Sequence, residues 1–164
     1  GPGDPPVLAG AEAGHTLSAF TREEGDLYRY LAAINGTARI AGDMAVAVNG
    51  LANLYAYCTG EKVHAHEVSP LAAENGRVMD LVARLYGRAV LHYILHPLPL
   101  GGVFITGGLA ANLPGVLVHP AFIAELREKN PMGKSLGNIP VMHVRNTNAG
   151  LWGAAACAYF MLRG

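Results

Sequence analysis

Apolar residues return every three or four positions in the stretch after Thr21, which is the spacing of one face of an α-helix. The positions are Leu27, Tyr28, Leu31 and Ile34. Thr21 and Glu24 stand directly before this run with the spacing of a capping box, in which each side chain accepts a hydrogen bond from the other residue's backbone N–H. The pattern therefore predicts a helix that begins after Thr21 and ends at Asn35-Gly36.

Helical and strand-like patterns alternate along the rest of the chain. Helices are predicted over about residues 49–57, 68–95, 122–129 and 149–162. The longest of them keeps its apolar residues on one face and is followed by Pro97 and Pro99, which stop a helix. Short runs of β-favouring residues predict buried strands at residues 103–106 and 139–144. This alternation predicts an α/β fold.

The first predicted strand runs directly into Gly107 and Gly108. Because glycine has no Cβ, a flat or anionic ligand can approach the backbone N–H groups closely. Open α/β sheets bind ligands at the carboxyl ends of their strands, which makes this turn a candidate nucleotide contact. The same residues also fit an ordinary strand-to-helix turn, since glycine pairs are common between elements. The segment alone leaves both interpretations open.

Composition and charge narrow the class of protein. Hydrophobic residues make up 51% and charged residues only 15%, which indicates a surface that is normally covered in part. The formal net charge is +0 and there is no basic block, so the sequence favours neither nucleic acid nor a membrane surface as partner. No apolar run approaches the ~20 residues that span a bilayer. Cys58 and Cys157 form no CxxC motif and no signal peptide is present, which predicts reduced thiols and a cytoplasmic protein.

Four motifs resemble, in the same order, segments of one enzyme family. Glu-Ala-Gly-His at residues 12–15 is similar to the Glu-x-Gly-His sugar-binding signature of the bacterial glucokinases, and residues 50–55 resemble their Gly-Leu-x-Asn-Leu-Tyr helix start. Gly-Gly-Val-Phe-Ile-Thr-Gly-Gly-Leu at residues 101–109 is similar to their adenosine segment. Ile-Pro-Val followed by Asn-Ala-Gly-Leu-Trp-Gly at residues 148–153 resembles their closing strand and helix. The chain thus resembles this family over nearly its whole length.

The resemblance implies a particular place in a larger enzyme. It covers the C-terminal part of the family, so residues 1–164 are expected to form the C-terminal lobe of a sugar kinase, with residues 1–6 as a linker or chain edge. The implied fold is α/β, an actin-like or ribonuclease-H-like lobe with helical insertions. The implied partners are the N-terminal lobe of the same polypeptide and a second copy in a homodimer.

The implied reaction is ATP-dependent phosphorylation of glucose to glucose 6-phosphate, a step of glycolysis. In the family an aspartate base activates the sugar 6-hydroxyl and Mg²⁺ bridges the nucleotide phosphates. That base and the family's first phosphate loops have no match in this chain. We therefore assign no catalytic residue and no metal ligand here, and expect the chain alone to be inactive.

The implied sugar site contains Glu12 and His15, which can bind neighbouring hydroxyl groups of the ring. From the residues alone, a solvated loop acid is the favoured interpretation of Glu12 and a packed core histidine that of His15. The family has a glutamate shortly before its Gly-Leu-x-Asn-Leu-Tyr helix, and the matching position holds Asp43, whose carboxylate is one methylene shorter. The resemblance therefore implies the type of reaction more strongly than the preference for glucose.

The implied nucleotide site contains Thr106, Gly107 and Gly108, which lie against the adenosine part of ATP in the family. Asn112 is a further candidate for a polar contact with the nucleotide, and helix capping is the alternative interpretation of that residue.

A sugar-sensing regulatory protein of the same fold, without kinase activity, is the alternative function. A kinase for another hexose, or one that uses ADP or polyphosphate as the donor, differs only in substrate.

Other candidate sites have simpler explanations. His64 and His66 lack the i, i+4 spacing of a helical zinc pair and are expected in a solvent-exposed loop, while Trp152, Tyr159 and Cys58 are interpreted as buried structural residues.

Overall fold

The computed structural model describes residues 21–96, 99, 101–127 and 138–163. In chain order its elements are α1 (Arg22–Asn35), α2 (Asp43–Val46), α3 (Val48–Thr59), α4 (Val68–Glu74), α5 (Gly76–Leu95), β1 (Val103–Ile105), α6 (Gly108–Asn112), a 3₁₀-helix (Pro114–Val118), α7 (Pro120–Arg127), β2 (Val141–His143) and α8 (Ala149–Arg163). The two strands form one parallel sheet, and helices make up most of the rest. The prediction of an α/β fold is confirmed.

The start of α1 has the predicted capping box. The Glu24 backbone N–H donates to Thr21 Oγ1 at 3.2 Å, and the Thr21 backbone N–H donates to Glu24 Oε2 at 3.1 Å. Leu27 and Leu31 are buried on the inner face of the helix, whereas Ile34 near its end is exposed. Local hydrogen bonds at the first turn thus set where α1 begins, and its apolar stripe sets which face packs inward.

One predicted helix is two helices in the structure. The apolar period continues from residue 68 to residue 95, but the backbone is extended at Asn75 and separates α4 from α5. The Asn75 side chain accepts a hydrogen bond from the Val78 backbone N–H at 3.2 Å and caps α5. Asparagine competes with the helical ladder for backbone donors, which explains a break that hydrophobic periodicity does not predict.

The core surrounds α5, which packs against α7, α3, α4 and α2. Its fully buried large side chains come from the helices and the 3₁₀-helix, namely Leu27, Leu31, Leu51, Leu54, Val68, Val78, Leu81, Val82, Leu85 and Val116. Each such side chain contributes roughly 1.5–3 kcal/mol relative to full exposure. The helical layer is therefore a well-packed platform beside the short sheet.

Beyond β2, α8 is apolar and yet largely exposed. Trp152 is 70% exposed and Tyr159 is 50% exposed, so the interpretation of both as core residues is wrong for the part of the chain that the structure describes. Leu151 and Met161 are exposed to a similar degree. The described residues offer α8 no packing layer against these side chains. Among the described helices, none is long and apolar enough to cross a membrane.

A buried ionic cluster joins α1, α5 and α7. The Arg88 guanidinium donates to Glu24 Oε2 at 2.9 Å and Oε1 at 3.1 Å, and to Glu125 Oε1 at 3.1 Å and Oε2 at 3.2 Å. All three residues are buried, with 2–3% of their surface exposed. Burial lowers the pKa of Arg88, but the hydrogen bonds with Glu24 and Glu125 outweigh it and raise the pKa, so the guanidinium stays charged.

We expect Arg88→Met to lower the free energy of unfolding by about 3–5 kcal/mol, because it removes the buried guanidinium that pairs with both Glu24 and Glu125. Urea unfolding followed by circular dichroism measures the change. Arg77→Met is the matched control, since the pair of Arg77 with Glu23 is largely exposed and is worth at most about 1 kcal/mol. Equal losses in the two variants would contradict a central role for the buried cluster.

Candidate functional site

The ends of the two parallel strands border one cavity of about 330 Å³. Its lining comes from the segment after β1 and the segment after β2, namely Thr106, Gly107, Gly108, Ala111, Asn112, Val144, Arg145 and Thr147. The structure therefore brings together all four residues that the sequence assigns to a nucleotide. Strand ends of a parallel sheet meet at one edge, which is where α/β proteins bind ligands.

Pairing between the strands positions this edge. The strands pair in parallel register, which places Val103 opposite Val141, Phe104 opposite Met142 and Ile105 opposite His143. The Val144 backbone N–H donates to the Ile105 carbonyl at 2.8 Å, one step beyond the last strand pair. The chain leaves both strands at the same level, so the two segments that follow line the cavity from adjacent positions.

The two glycines after β1 serve different purposes. Gly107 has φ 109 and ψ 174, a conformation that is essentially restricted to glycine, and it turns the chain from β1 into α6. Gly108 has ordinary dihedral angles, but a Cβ there would lie 3.1 Å from Val48 Cγ2 on α3. A side chain at position 108 would therefore require Val48 to shift by a few tenths of an ångström.

Asn112 is the last residue of α6 and its side chain is exposed at the cavity. This position is at the carboxyl end of the helix, where asparagine does not act as an N-cap. Within the described part of the chain, no hydrogen bond holds its amide group. The position is compatible with a polar contact to a ligand and does not support the alternative of N-terminal capping.

Asp43 borders a second, larger cavity of about 650 Å³ between α2, α5 and β1. Its lining is mostly apolar and consists of Asp43, Val46, Ala47, Tyr86, Ala89, Val90, Tyr93, Pro99, Gly102, Val103, Phe104, Ile105 and Thr106. Thr106 lines both cavities, so the predicted sugar residue Asp43 and the predicted nucleotide residues lie around adjoining spaces. Glu12 and His15 lie outside the described residues.

The Gly-Leu-Ala-Asn-Leu-Tyr motif holds the short helix that begins with Asp43. A Cβ at Gly50 would lie 2.5 Å from the Ala45 carbonyl carbon, so only glycine permits α3 to approach α2 this closely. The Asn53 side chain donates to the Met44 carbonyl oxygen at 3.3 Å. These contacts fix the backbone beside Asp43 and leave its carboxylate exposed.

The two cavities differ in charge. Asp43 is the only charged residue among the described lining residues of the larger cavity, and Arg145 is the only one among those of the smaller cavity. Burial raises the pKa of Tyr86 to about 12, so its hydroxyl is neutral in the wall of the larger cavity. The smaller cavity therefore favours an anionic group of a ligand, and the carboxylate of Asp43 can accept hydrogen bonds in the larger one.

Two further lining residues, Arg145 and Thr147, are not indicated by any motif of the sequence. Both come shortly after the end of β2, as Thr106 and Gly107 come directly after the end of β1. The two strands were predicted, but their pairing was not. With parallel pairing assumed, the polar residues after the second strand would have been candidates on the same grounds as those after the first.

Other polar groups do not form a second site in the described ranges. His64 and His66 are exposed in a loop, as predicted, with ring centroids 5.6 Å apart. Across residues 21–96, 99, 101–127 and 138–163, no group of three or more histidine, cysteine or acidic side chains is arranged to hold a metal ion. Cys58 is only half-buried, and burial raises the pKa of its thiol, which keeps it protonated and unreactive.

The chain is similar to known proteins of one enzyme family. The sequence model of the family described as Glucokinase matches residues 3–161. A glucokinase of Synechocystis is 35% identical over 82 residues, which are 50% of this chain and 23% of that protein. A glucokinase of Chelativorans is 28% identical over 159 residues, which are 90% of this chain and 46% of that protein.

A solved structure is similar along most of the chain. The crystal structure of a glucokinase from an Antarctic psychrotroph matches with a TM-score of 0.74 and 27% identity, over 91% of this chain and 49% of that one. The chain therefore spans about half the length of the relatives that match it from end to end. Since the family model covers nearly all of its residues, the chain belongs to the glucokinase family.

Proposed function

We propose that the intact protein transfers the γ-phosphoryl group of ATP to the 6-hydroxyl of glucose. A bond forms between the sugar 6-oxygen and the γ-phosphorus, the bond from that phosphorus to the ADP oxygen breaks, and the hydroxyl proton passes to a base. The observation that carries this proposal is the shared wall of the two cavities at Thr106. A sugar beside Asp43 and a nucleotide at the strand ends would be neighbours there.

In this proposal the smaller cavity binds the adenosine part of ATP. Gly107 and Gly108 let the ligand approach the backbone, and Thr106 and Asn112 provide polar contacts. Mg²⁺ would neutralise charge on the phosphates. We assign it no ligand in the described residues and propose that it is bound through the nucleotide.

The larger cavity would take the sugar. Asp43 is exposed at its border and accepts hydrogen bonds from ring hydroxyls, together with Glu12 and His15 as the family resemblance implies. No residue of this chain is assigned as the catalytic base. We therefore propose that the chain supplies substrate positioning and that the remaining part of the enzyme supplies the base.

We further propose that this chain is the C-terminal, actin-like lobe of the enzyme and that an N-terminal lobe of the same polypeptide covers α8. The exposed apolar side chains of α8 support this, because Trp152, Leu151 and Met161 are each at least 70% exposed. Relatives about twice as long leave room for a second lobe of similar size. Isolated, the chain would lack the base and be inactive.

A coupled assay of the intact protein with ATP, Mg²⁺ and a panel of hexoses tests the proposed reaction. We expect glucose to give the highest kcat/KM, with Asp43 in the role of the family glutamate. Preferred turnover of another hexose would support the proposed kinase activity but reject glucose as the substrate. Sugar binding without any turnover would support the sugar-sensing alternative, for which the shorter side chain of Asp43 is the motivating observation.

Replacement of Asp43 tests the sugar site. We expect Asp43→Ala to raise the KM for the sugar at least several-fold with little change in the KM for ATP, because only hydroxyl contacts are lost. Glu61→Ala is the matched control, since Glu61 is an exposed acid outside both cavities. An unchanged sugar KM in Asp43→Ala would remove this residue from the site.

A bulky side chain in the smaller cavity tests the nucleotide site. Ala111 lines that cavity on the exposed side of α6, so Ala111→Phe is expected to fill the space and raise the Kd for ATP by about tenfold or more. Ala73→Phe, at an exposed helical position outside both cavities, controls for the added ring. Equal ATP affinity in the two variants would contradict nucleotide binding at the strand ends.

A further inference from the structure

The segment after β2 carries a cation to which the proposed function has so far given no role. Arg145 follows Val144, whose backbone N–H is bonded to the Ile105 carbonyl at 2.8 Å. Arg145 is therefore the first residue after the last hydrogen bond that joins the two strands. Val144 and Arg145 both line the smaller cavity.

The backbone around Arg145 is held on both sides. The sheet fixes the residue before it, and a turn fixes the residues after it. In that turn the Asn148 backbone N–H donates to Asn146 Oδ1 at 2.9 Å, and the Ala149 backbone N–H donates to the Asn146 carbonyl oxygen at 3.1 Å. The turn leads directly into α8. Arg145 thus projects from an anchored position, and little backbone ordering is required when a ligand binds.

The electrostatic setting of Arg145 favours an anion. The described lining of the smaller cavity contains no carboxylate, and the structure describes no ion pair that involves Arg145. Thr106 and Thr147 add hydroxyl donors to the same lining. A planar guanidinium with neighbouring hydroxyls matches the geometry of phosphate oxygens, which accept paired hydrogen bonds from arginine.

We propose that Arg145 binds the phosphate chain of the nucleotide, with Thr147 beside it. This inference rests on the proposed function, since it takes the smaller cavity as the nucleotide site. The family resemblance assigns the phosphate contacts to loops that have no match in this chain. Arg145 would add a contact from this chain, so the part of the enzyme that holds the adenosine would also recognise the charge attached to it.

Calorimetric titration of the intact protein with ATP and with adenosine tests this assignment. We expect Arg145→Met to raise the Kd for ATP by about tenfold or more, because a charged hydrogen bond is lost, and to leave the Kd for adenosine within about twofold. Arg145→Lys retains the charge without the paired donors, and its Kd for ATP is expected to lie between those of the wild-type protein and Arg145→Met. Arg127→Met, which removes an exposed arginine outside both cavities, is the control for net charge.

The two ligands separate the ways in which the inference can fail. Equal loss of ATP and adenosine affinity would show that Arg145 supports binding of the adenosine part or the fold. That result would overturn the phosphate contact and leave the assignment of the smaller cavity to the nucleotide in place. An unchanged ATP affinity in Arg145→Met would overturn the phosphate contact as well. A wild-type protein that binds neither ligand would reject the proposed function together with this inference.

Discussion

The placement of the helices depends on a buried guanidinium. Arg88 on α5 lies between Glu24 on α1 and Glu125 on α7, and its hydrogen bonds join the three helices in one layer. Glu24 also closes the capping box of α1, so the same carboxylate sets where that helix starts and where it packs. The larger cavity beside Asp43 is lined by Tyr86, Ala89 and other residues from the same stretch of α5. A change in the position of α5 would therefore alter the shape of the candidate sugar site.

The arrangement of the strand ends depends on the backbone rather than on charged side chains. Parallel pairing of β1 with β2 brings two chain segments to one edge, and a glycine conformation at Gly107 opens the first of them toward the cavity. Gly108 and Val48 join this edge to α3, whose close packing on α2 positions Asp43. The two cavities proposed for the nucleotide and the sugar are thus connected through packed helices as well as through Thr106. Such contacts provide a physical route by which the two substrates would be held at a fixed separation.

Local features of this fold could be predicted from the sequence, and long-range pairings could not. The capping box of α1 and the glycine turn after β1 depend on residues a few positions apart, and both are present. The Arg88 bonds join residues that are 64 and 37 positions apart, and no periodic pattern indicates them. Arg145 was missed for the same reason, because its relevance follows from strand pairing. The exposure of Trp152 contradicts the core interpretation, since helical spacing identifies an apolar face without identifying what covers it.

Hydrogen–deuterium exchange of the intact protein, with and without a non-hydrolysable ATP analogue in the presence of sugar, is the most direct test of the central claim that both strand ends form one nucleotide site. We expect slower exchange in residues 106–112 and in residues 144–148 together, with no change in the exposed loop at residues 60–67. Slower exchange after β1 alone would contradict a shared site at the two strand ends. An unchanged exchange rate in both segments, while the analogue binds, would place the nucleotide elsewhere on the protein.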